Sequence, residues 1–159
     1  MERVNNILNN TKYKEYLEQI ERLESGREFC KHDIKHFLDV ARIAYILVLE
    51  KDMDIKKELV YAAALLHDIG RGAQYKHGIP HEEASAYISE EILIQSGFDE
   101  YEKKIIVSAI GNHRRVNEEP DSFNNLFLRS DKLSRECYNC KVMKQCKWVD
   151  DKKNYKIYY

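Results

Sequence analysis

Proline and glycine are scarce in this chain, which has two prolines and six glycines in 159 residues. Because these two residues interrupt regular structure most often, their scarcity leaves long unbroken stretches that suit helices. No segment shows the sustained alternation of apolar and polar residues that is typical of half-buried strands. These absences exclude a sheet-rich or loop-rich architecture.

An excess of charge of one sign and a long apolar run are also missing. The formal net charge is −1, although 33% of the residues are charged. A domain that binds nucleic acid over an extended surface is usually clearly basic, so we exclude such a footprint. No apolar run approaches the length of a membrane span, and the first twenty residues lack the apolar segment of a signal peptide. We therefore expect a cytoplasmic protein without a membrane partner.

The length and composition suit one domain with its own core, since 43% of the 159 residues are hydrophobic. No internal repeat or low-complexity linker divides the chain. We predict a single domain over 1–159, with a helical core at about 27–136 and a cysteine-containing extension at 137–159. A homo-oligomer is compatible with these features, and the sequence does not fix the oligomeric state.

Apolar residues recur at helical spacing in most of the chain, which predicts an all-α fold, a compact multi-helix bundle. The predicted helices cover residues 11–25, 33–50, 55–68, 81–95, 100–112 and 122–135, and Gly26 is placed to end the first. Three glycines between Gly70 and Pro80 predict a loop there.

Ionisable side chains interrupt the apolar faces of these helices. The run "AAALLHDIGRG" contains a carboxylate that is costly to bury unless something compensates it. A lone histidine on an apolar face is more often a hydrogen-bonded core residue than a ligand. Six such residues would need six separate compensations, whereas two divalent cations compensate them together. We predict a two-metal site made of His36, His67, Asp68, His81, His113 and Asp131.

The adjacency of His67 and Asp68 has a physical reason. Successive helical side chains diverge by about 100°, so the imidazole can face one ion while the carboxylate bridges to a second about 3.5–4 Å away. Gly70 then lets the chain leave the site without crowding it. His77 is an alternative to His81, which we prefer because apolar residues follow it at helical spacing.

The order of these residues resembles the H…HD…D signature of the HD superfamily of metal-dependent phosphohydrolases. The local contexts are "HFLDVARIA", "LLHDIGR" and "LFLRSDKLSR", and the resemblance covers about Cys30–Arg135. A single His-Asp pair is not diagnostic, and we interpret His32-Asp33 as a pair outside the signature.

The resemblance implies a helical fold and hydrolysis of a phosphoester or phosphoanhydride. It also implies that one metal is held by His36, His67, Asp68 and Asp131, with Asp68 bridging to a second metal held by His81 and His113. The Gly-Tyr-Pro motif of the branch that cleaves cyclic dinucleotides is absent, which excludes that substrate.

We expect a metal-bridged hydroxide to attack a nucleotide or another small phosphorylated compound, and dinucleoside polyphosphates are one candidate. The predicted catalytic residues are Asp68, Arg71 and Lys132. Of these, the positively charged Arg71 and Lys132 are expected to contact phosphate. Arg114 and Arg115 are weaker candidates for the same role. Iron or manganese is expected from the resemblance, and zinc, cobalt, nickel and magnesium stay open. Two other functions also stay open: a di-iron oxygenase of the same superfamily and a non-catalytic metal or redox sensor.

Four cysteines form a second candidate site. Cys137, Cys140 and Cys146 follow the pattern C-x2-C-x5-C, six residues after Asp131, and Cys30 lies six residues before His36. If His36 and Asp131 meet at one metal, these cysteines could meet nearby and hold zinc or, less readily, an iron–sulfur cluster. Free thiols are the strongest single alternative.

Overall fold

The computed structural model describes residues 1–159, and its regular structure is entirely helical, which confirms the all-α prediction. The eight α-helices are α1 (Glu2–Asn9), α2 (Thr11–Leu23), α3 (Ile34–Glu50), α4 (Lys57–Leu66), α5 (Arg71–His77), α6 (His81–Gln95), α7 (Glu100–Asn112) and α8 (Phe123–Leu133). Short 3-10 turns follow at Cys137–Asn139, Met143–Gln145 and Asp150–Lys152.

No helix combines the length and the apolar character needed to span a bilayer.

Two parts of the helix prediction differ from the structure. The predicted loop over Gly70–Pro80 is wrong, since most of it is the helix α5. Gly78 ends this helix in the left-handed region, at φ 71°, and its N–H donates to the Gln74 carbonyl at 2.9 Å. No helix is predicted over Glu2–Asn9, where α1 buries Val4 and Ile7.

The core lies around α3, which packs between α4 and α8. It contains 27 buried hydrophobic residues drawn from seven of the helices and the segments between them. Ala62, Ala63 and Ala64 are fully buried on α4, and their small side chains let the neighbouring helices approach closely. On the other side, α7 packs against α4, α6 and α8. These contacts bring together the ends of helices that are far apart in the sequence.

The chain after α8 is folded differently from the rest. No residue after Ser130 is buried. The Asn154 side-chain amide donates to the carbonyl oxygens of Lys132, Leu133 and Arg135 at 2.9–3.2 Å. The extension is therefore held against the last turn of α8 by polar contacts rather than by a core of its own.

Candidate metal centre

All six predicted ligands meet in one place, although they come from five separate parts of the fold. His36 lies in the first turn of α3, and Asp131 lies near the end of α8. The other four are at helix ends: His67 and Asp68 directly after α4, His81 at the start of α6, and His113 directly after α7. Helix ends suit this role because side chains there are fixed in position while the backbone turns away.

The Oδ2 atom of Asp68 belongs to an outer group of ligands. It lies 3.2 Å from His67 Nε2 and 3.7 Å from His36 Nε2. Asp131 adds its Oδ1 atom, which is 3.5 Å from His36 Nε2 and 3.9 Å from His67 Nε2. These four residues are the set that the resemblance assigns to one metal.

The Oδ1 atom of Asp68 belongs to an inner group. It lies 3.1 Å from His81 Nε2 and 3.8 Å from His113 Nε2, and these two nitrogens are 3.1 Å apart. Each oxygen of Asp68 thus faces a different pair of histidines, as expected of a bridging carboxylate. His77 is exposed on α5, so the structure brings His81 rather than His77 to the site.

Two of the four imidazoles are fixed by backbone carbonyls. His67 Nδ1 lies 2.8 Å from the Ala64 carbonyl oxygen, and His113 Nδ1 lies 2.6 Å from the Ile110 carbonyl oxygen. A carbonyl oxygen can only accept, so each Nδ1 carries the proton and each Nε2 presents a lone pair.

The other two imidazoles are fixed by side chains. His36 Nδ1 lies 3.2 Å from Ser134 Oγ, whose own hydroxyl donates to the Asp131 carbonyl oxygen at 2.7 Å. His81 Nδ1 lies 3.1 Å from the amide oxygen of Gln74, which also accepts from Arg71. Both acceptors place the proton on Nδ1, so all four Nε2 lone pairs face the site.

The site is therefore rich in acceptors and short of donors. The Nε2 atoms of His36 and His67 are buried without a hydrogen-bond partner. The arginine donors near the two carboxylates are Arg71 Nε, at 2.8 Å from Asp68 Oδ1, and Arg135 Nη2, at 3.9 Å from Asp131 Oδ2. Buried lone pairs and anions that face one another need a cation between them. Imidazole and carboxylate ligands suit divalent transition metals, so the residues fit the predicted ions.

The protonation states agree with metal binding. Burial alone would raise the pKa of Asp68, but the neighbouring His67 and Arg71 charges hold it well below its usual value. Burial likewise opposes ionisation of Asp131, and His36 and His67 outweigh it and lower its pKa. Burial lowers the pKa of His113 to about 4. At neutral pH the two carboxylates and His113 are in the forms that bind metal ions. Burial opposes protonation of His67, but Asp68 and Asp131 outweigh it and raise its pKa, and a metal ion would displace that proton.

His32 reaches the site, which the sequence interpretation does not anticipate. Its Nε2 lies 3.7 Å from Asp68 Oδ2, and its Nδ1 lies 2.5 Å from the buried carboxylate of Glu24. That carboxylate also accepts from the Tyr75 hydroxyl. Asp33, in contrast, caps α3 by accepting from the His36 N–H at 2.9 Å. The pair His32-Asp33 is outside the signature, as interpreted, but its histidine faces the same ligands.

The basic residues predicted to contact phosphate have different positions. Arg71 is at the site, where it donates to Asp68. Lys132 is exposed and does not line the cavity described below, so the structure does not bring it to the site. Neighbouring helical residues diverge by about 100°, so Lys132 points away from Asp131, whereas Arg135, just past the end of α8, lies in the cavity wall. Arg114 and Arg115 pair with Glu82 and Glu83 on α6, away from this cavity.

A cavity of about 630 Å³ leads to the outer group of ligands. His36, Asp131, His32 and Arg71 lie at its inner end, and its walls come from residues 27–39 and from residues 134–153. This volume is in the range of small-molecule sites.

Ser134→Ala tests the position of His36. The substitution removes the acceptor for His36 Nδ1. We expect the affinity for the outer metal to fall by about 10- to 100-fold, as is typical when a metal-binding histidine loses the hydrogen-bond partner of its other nitrogen. Competition with a coloured chelator measures this affinity. Ser122→Ala, which removes only the cap of α8, is the control and should leave the affinity unchanged. Equal affinities in both variants would contradict the role of Ser134.

Comparison with known families identifies the class of protein. Residues 33–143, more than two thirds of the chain, match the HD domain. The chain therefore belongs to the HD-domain family, whose members bind divalent metal ions, and it has the clustered histidines and aspartates to do so.

Two proteins match the chain by sequence, and one solved structure matches it by fold. An uncharacterized protein of Clostridium beijerinckii is 48% identical over 159 residues and covers the whole of both chains. An uncharacterized protein of Methanocaldococcus jannaschii is 38% identical over 78 residues, 46% of this chain and 43% of its own. The fold is similar to that of a predicted HD superfamily hydrolase from an uncultured Thermotogales bacterium, with a TM-score of 0.62 and 22% identity over 88% of this chain and 80% of the other.

Proposed function

We propose that this protein is a metal-dependent phosphohydrolase that cleaves a phosphoester or phosphoanhydride of a nucleotide or another small phosphorylated compound. The observation that carries the proposal is the inward orientation of four Nε2 lone pairs around the two oxygens of Asp68. Membership of the HD-domain family supports the same chemistry.

The six ligands form two groups with different roles. His36, His67, Asp68 and Asp131 would hold one divalent ion, and Asp68 would share a second with His81 and His113. When bound, such ions lower the pKa of a coordinated water and so supply a nucleophile near neutral pH. His36 and Asp131 face the cavity, so this outer group lies where a substrate arrives. His81 and His113 are buried and keep solvent away from the inner side.

The cavity is suited to a phosphorylated ligand. Its walls carry seven basic side chains and five acidic ones. Lys35 is neutralised by Asp39 and Glu136, whereas Lys31 and Lys141 have no ion-pair partner and can bind phosphate oxygens. Trp148 also lines the cavity, and the Arg135 guanidinium stacks on its ring at 4.3 Å. An aromatic ring and free cations are the groups that bind a nucleotide base and its phosphates.

Metal reconstitution followed by a substrate panel tests the proposal. Protein stripped of metal and reloaded with Mn²⁺ or Fe²⁺ under nitrogen should bind two ions and release phosphate or a nucleotide from at least one member of a panel of nucleoside mono-, di- and triphosphates, dinucleoside polyphosphates and sugar phosphates. Oxygen consumption by an iron-loaded protein that releases no phosphate would overturn the proposal in favour of an oxygenase. Two bound ions without any turnover would favour a sensor.

Arg135→Ala and Lys132→Ala separate two basic residues at the C-terminal end of α8. Arg135 is 13% exposed in the cavity wall, with Nη2 3.9 Å from Asp131 Oδ2, so its removal takes a positive charge from the path of an anionic substrate. We expect KM to rise about tenfold, the equivalent of one charge-assisted hydrogen bond. Lys132→Ala should leave KM unchanged. Steady-state kinetics on the best substrate of the panel measure both, and a larger effect from Lys132 would reverse the assignment.

A further inference from the structure

Four cysteines that the proposed hydrolysis does not use line one cavity. Cys30 belongs to the segment before α3, and Cys137, Cys140 and Cys146 belong to the extension after α8. All four are free thiols. Cysteines from two segments about a hundred residues apart in the sequence therefore line the same cavity.

An ion pair ties these two walls together. Lys35 Nζ, on the first turn of α3, lies 2.6 Å from Glu136 Oε1, directly before Cys137. The thiols are also close enough to influence one another. Burial raises the pKa of Cys30, and the charges of Cys137 and Cys146 raise it further, while Arg135 acts in the opposite direction. Cys30 and the extension thus share one electrostatic environment.

The backbone around the three C-terminal cysteines consists of tight turns. The Cys140 N–H donates to the Cys137 carbonyl at 3.2 Å, and the Met143 N–H donates to the Cys140 carbonyl at 3.3 Å. The Cys146 N–H then donates to the Met143 carbonyl at 3.1 Å. A turn that places two cysteines three residues apart at its ends is the usual backbone of a thiolate metal site.

The extension lacks an apolar reason to be ordered. No residue after Ser130 is buried, although ordering a residue costs about 1–2 kcal/mol of backbone entropy. The Asn154 contacts with the end of α8 hold its far side only. Small segments that cannot build a core are commonly held by a metal ion or by disulfides.

We infer that Cys30, Cys137, Cys140 and Cys146 together bind one thiolate-ligated metal centre, separate from the histidine and aspartate site. Four thiolates form a closed ligand set that suits a zinc ion, and the same set suits an iron–sulfur cluster. The sulfur atoms are grouped less tightly than the histidine and aspartate ligands. Binding would therefore draw the segment 137–146 toward Cys30 and fix one wall of the substrate cavity.

The first test measures metal and thiols in the full chain, purified under nitrogen. We expect either one zinc ion per chain or iron with acid-labile sulfide, in addition to the ions of the other site. A thiol reagent should react with the four cysteines at least about 100-fold more slowly before than after a strong chelator is added. Four thiols that react at once in the untreated protein would overturn the inference.

Variants assign the metal to the cysteines. Asp68→Asn should lose the ions of the hydrolytic site and keep the cysteine-bound metal, so failure of one proposal is distinguishable from failure of the other. The double variant Cys137→Ser with Cys140→Ser should lose the zinc, or the iron and sulfide, and keep the other ions. Asn139→Ser, between the two cysteines, is the control and should retain everything. Loss of all metal in Asp68→Asn, or none in the cysteine variant, would contradict the site.

Discussion

Asp68→Asn is expected to abolish turnover and to remove both ions of the hydrolytic site. Asp68 is the one residue that faces both groups of histidines, and it is 1% exposed. The amide has the shape of the carboxylate but no negative charge, and an NH2 donor replaces one of the two oxygens. The metal ions are expected to stabilise the transition state by several kcal/mol, and loss of that stabilisation corresponds to at least about a 10³-fold fall in kcat/KM. Phosphate release and metal analysis of the same sample measure the two effects.

The second His-Asp pair of the chain supplies the control. Asp33→Asn changes the same residue type beside a histidine that also faces the site. Asparagine caps a helix about as well as aspartate, so the cap of α3 is kept. We expect kcat/KM within about twofold of the parent protein, since nothing in the metal site is removed. If Asp68→Asn retained activity, or if both variants lost it equally, the bridging role of Asp68 would be refuted.

Gly70→Ala is expected to have the largest effect on stability. A Cβ at Gly70 would lie 2.5 Å from the Ser85 amide nitrogen and 2.6 Å from the His81 carbonyl oxygen. Both are backbone atoms at the start of α6, so the clash is relieved only if the turn and the helix move apart. That movement would also break the hydrogen bond from the Gly70 N–H to Ser85 Oγ, at 2.8 Å. We expect the free energy of unfolding to fall by about 3 kcal/mol, measured by urea denaturation of metal-free protein.

The same substitution should weaken the inner metal group, because His81 is the first residue of α6. Gly26→Ala is the matched control, since no atom lies within 4 Å of a Cβ at that position. Its stability should be unchanged or higher by less than about 1 kcal/mol. Equal stabilities of the two variants would show that the close approach at Gly70 is not required.

The six metal ligands can be predicted from the sequence because they interrupt the regular spacing of apolar residues on the helices. A histidine or aspartate on an otherwise apolar helical face is conspicuous, and the spacing of each to its neighbours identifies the buried face. The helices of the core were accessible for the same reason. His81 could be preferred over His77 because only His81 continues an apolar face.

Other features depend on tertiary structure that spacing does not encode. His32 lies before the cap of α3, where no helical period applies, and its partner Glu24 directly follows α2. Lys132 lies in the last turn of α8 and Arg135 just past its end, and only Arg135 lies four residues from Asp131 and in the cavity wall. The sequence does not predict the helix α5 because glycine usually interrupts helices. Of Gly70, Gly72 and Gly78, only Gly78 has the left-handed conformation that ends a helix.

The depth of the two ligand groups has a consequence for how the centre is assembled. His36 and Asp131 border the cavity, whereas His81 and His113 are 1% and 2% exposed and lie beyond Asp68. An ion that arrives through the cavity therefore meets His36 and Asp131 before it meets His81 and His113. We therefore expect an ion at the inner position to exchange more slowly with solvent than an ion at the outer position.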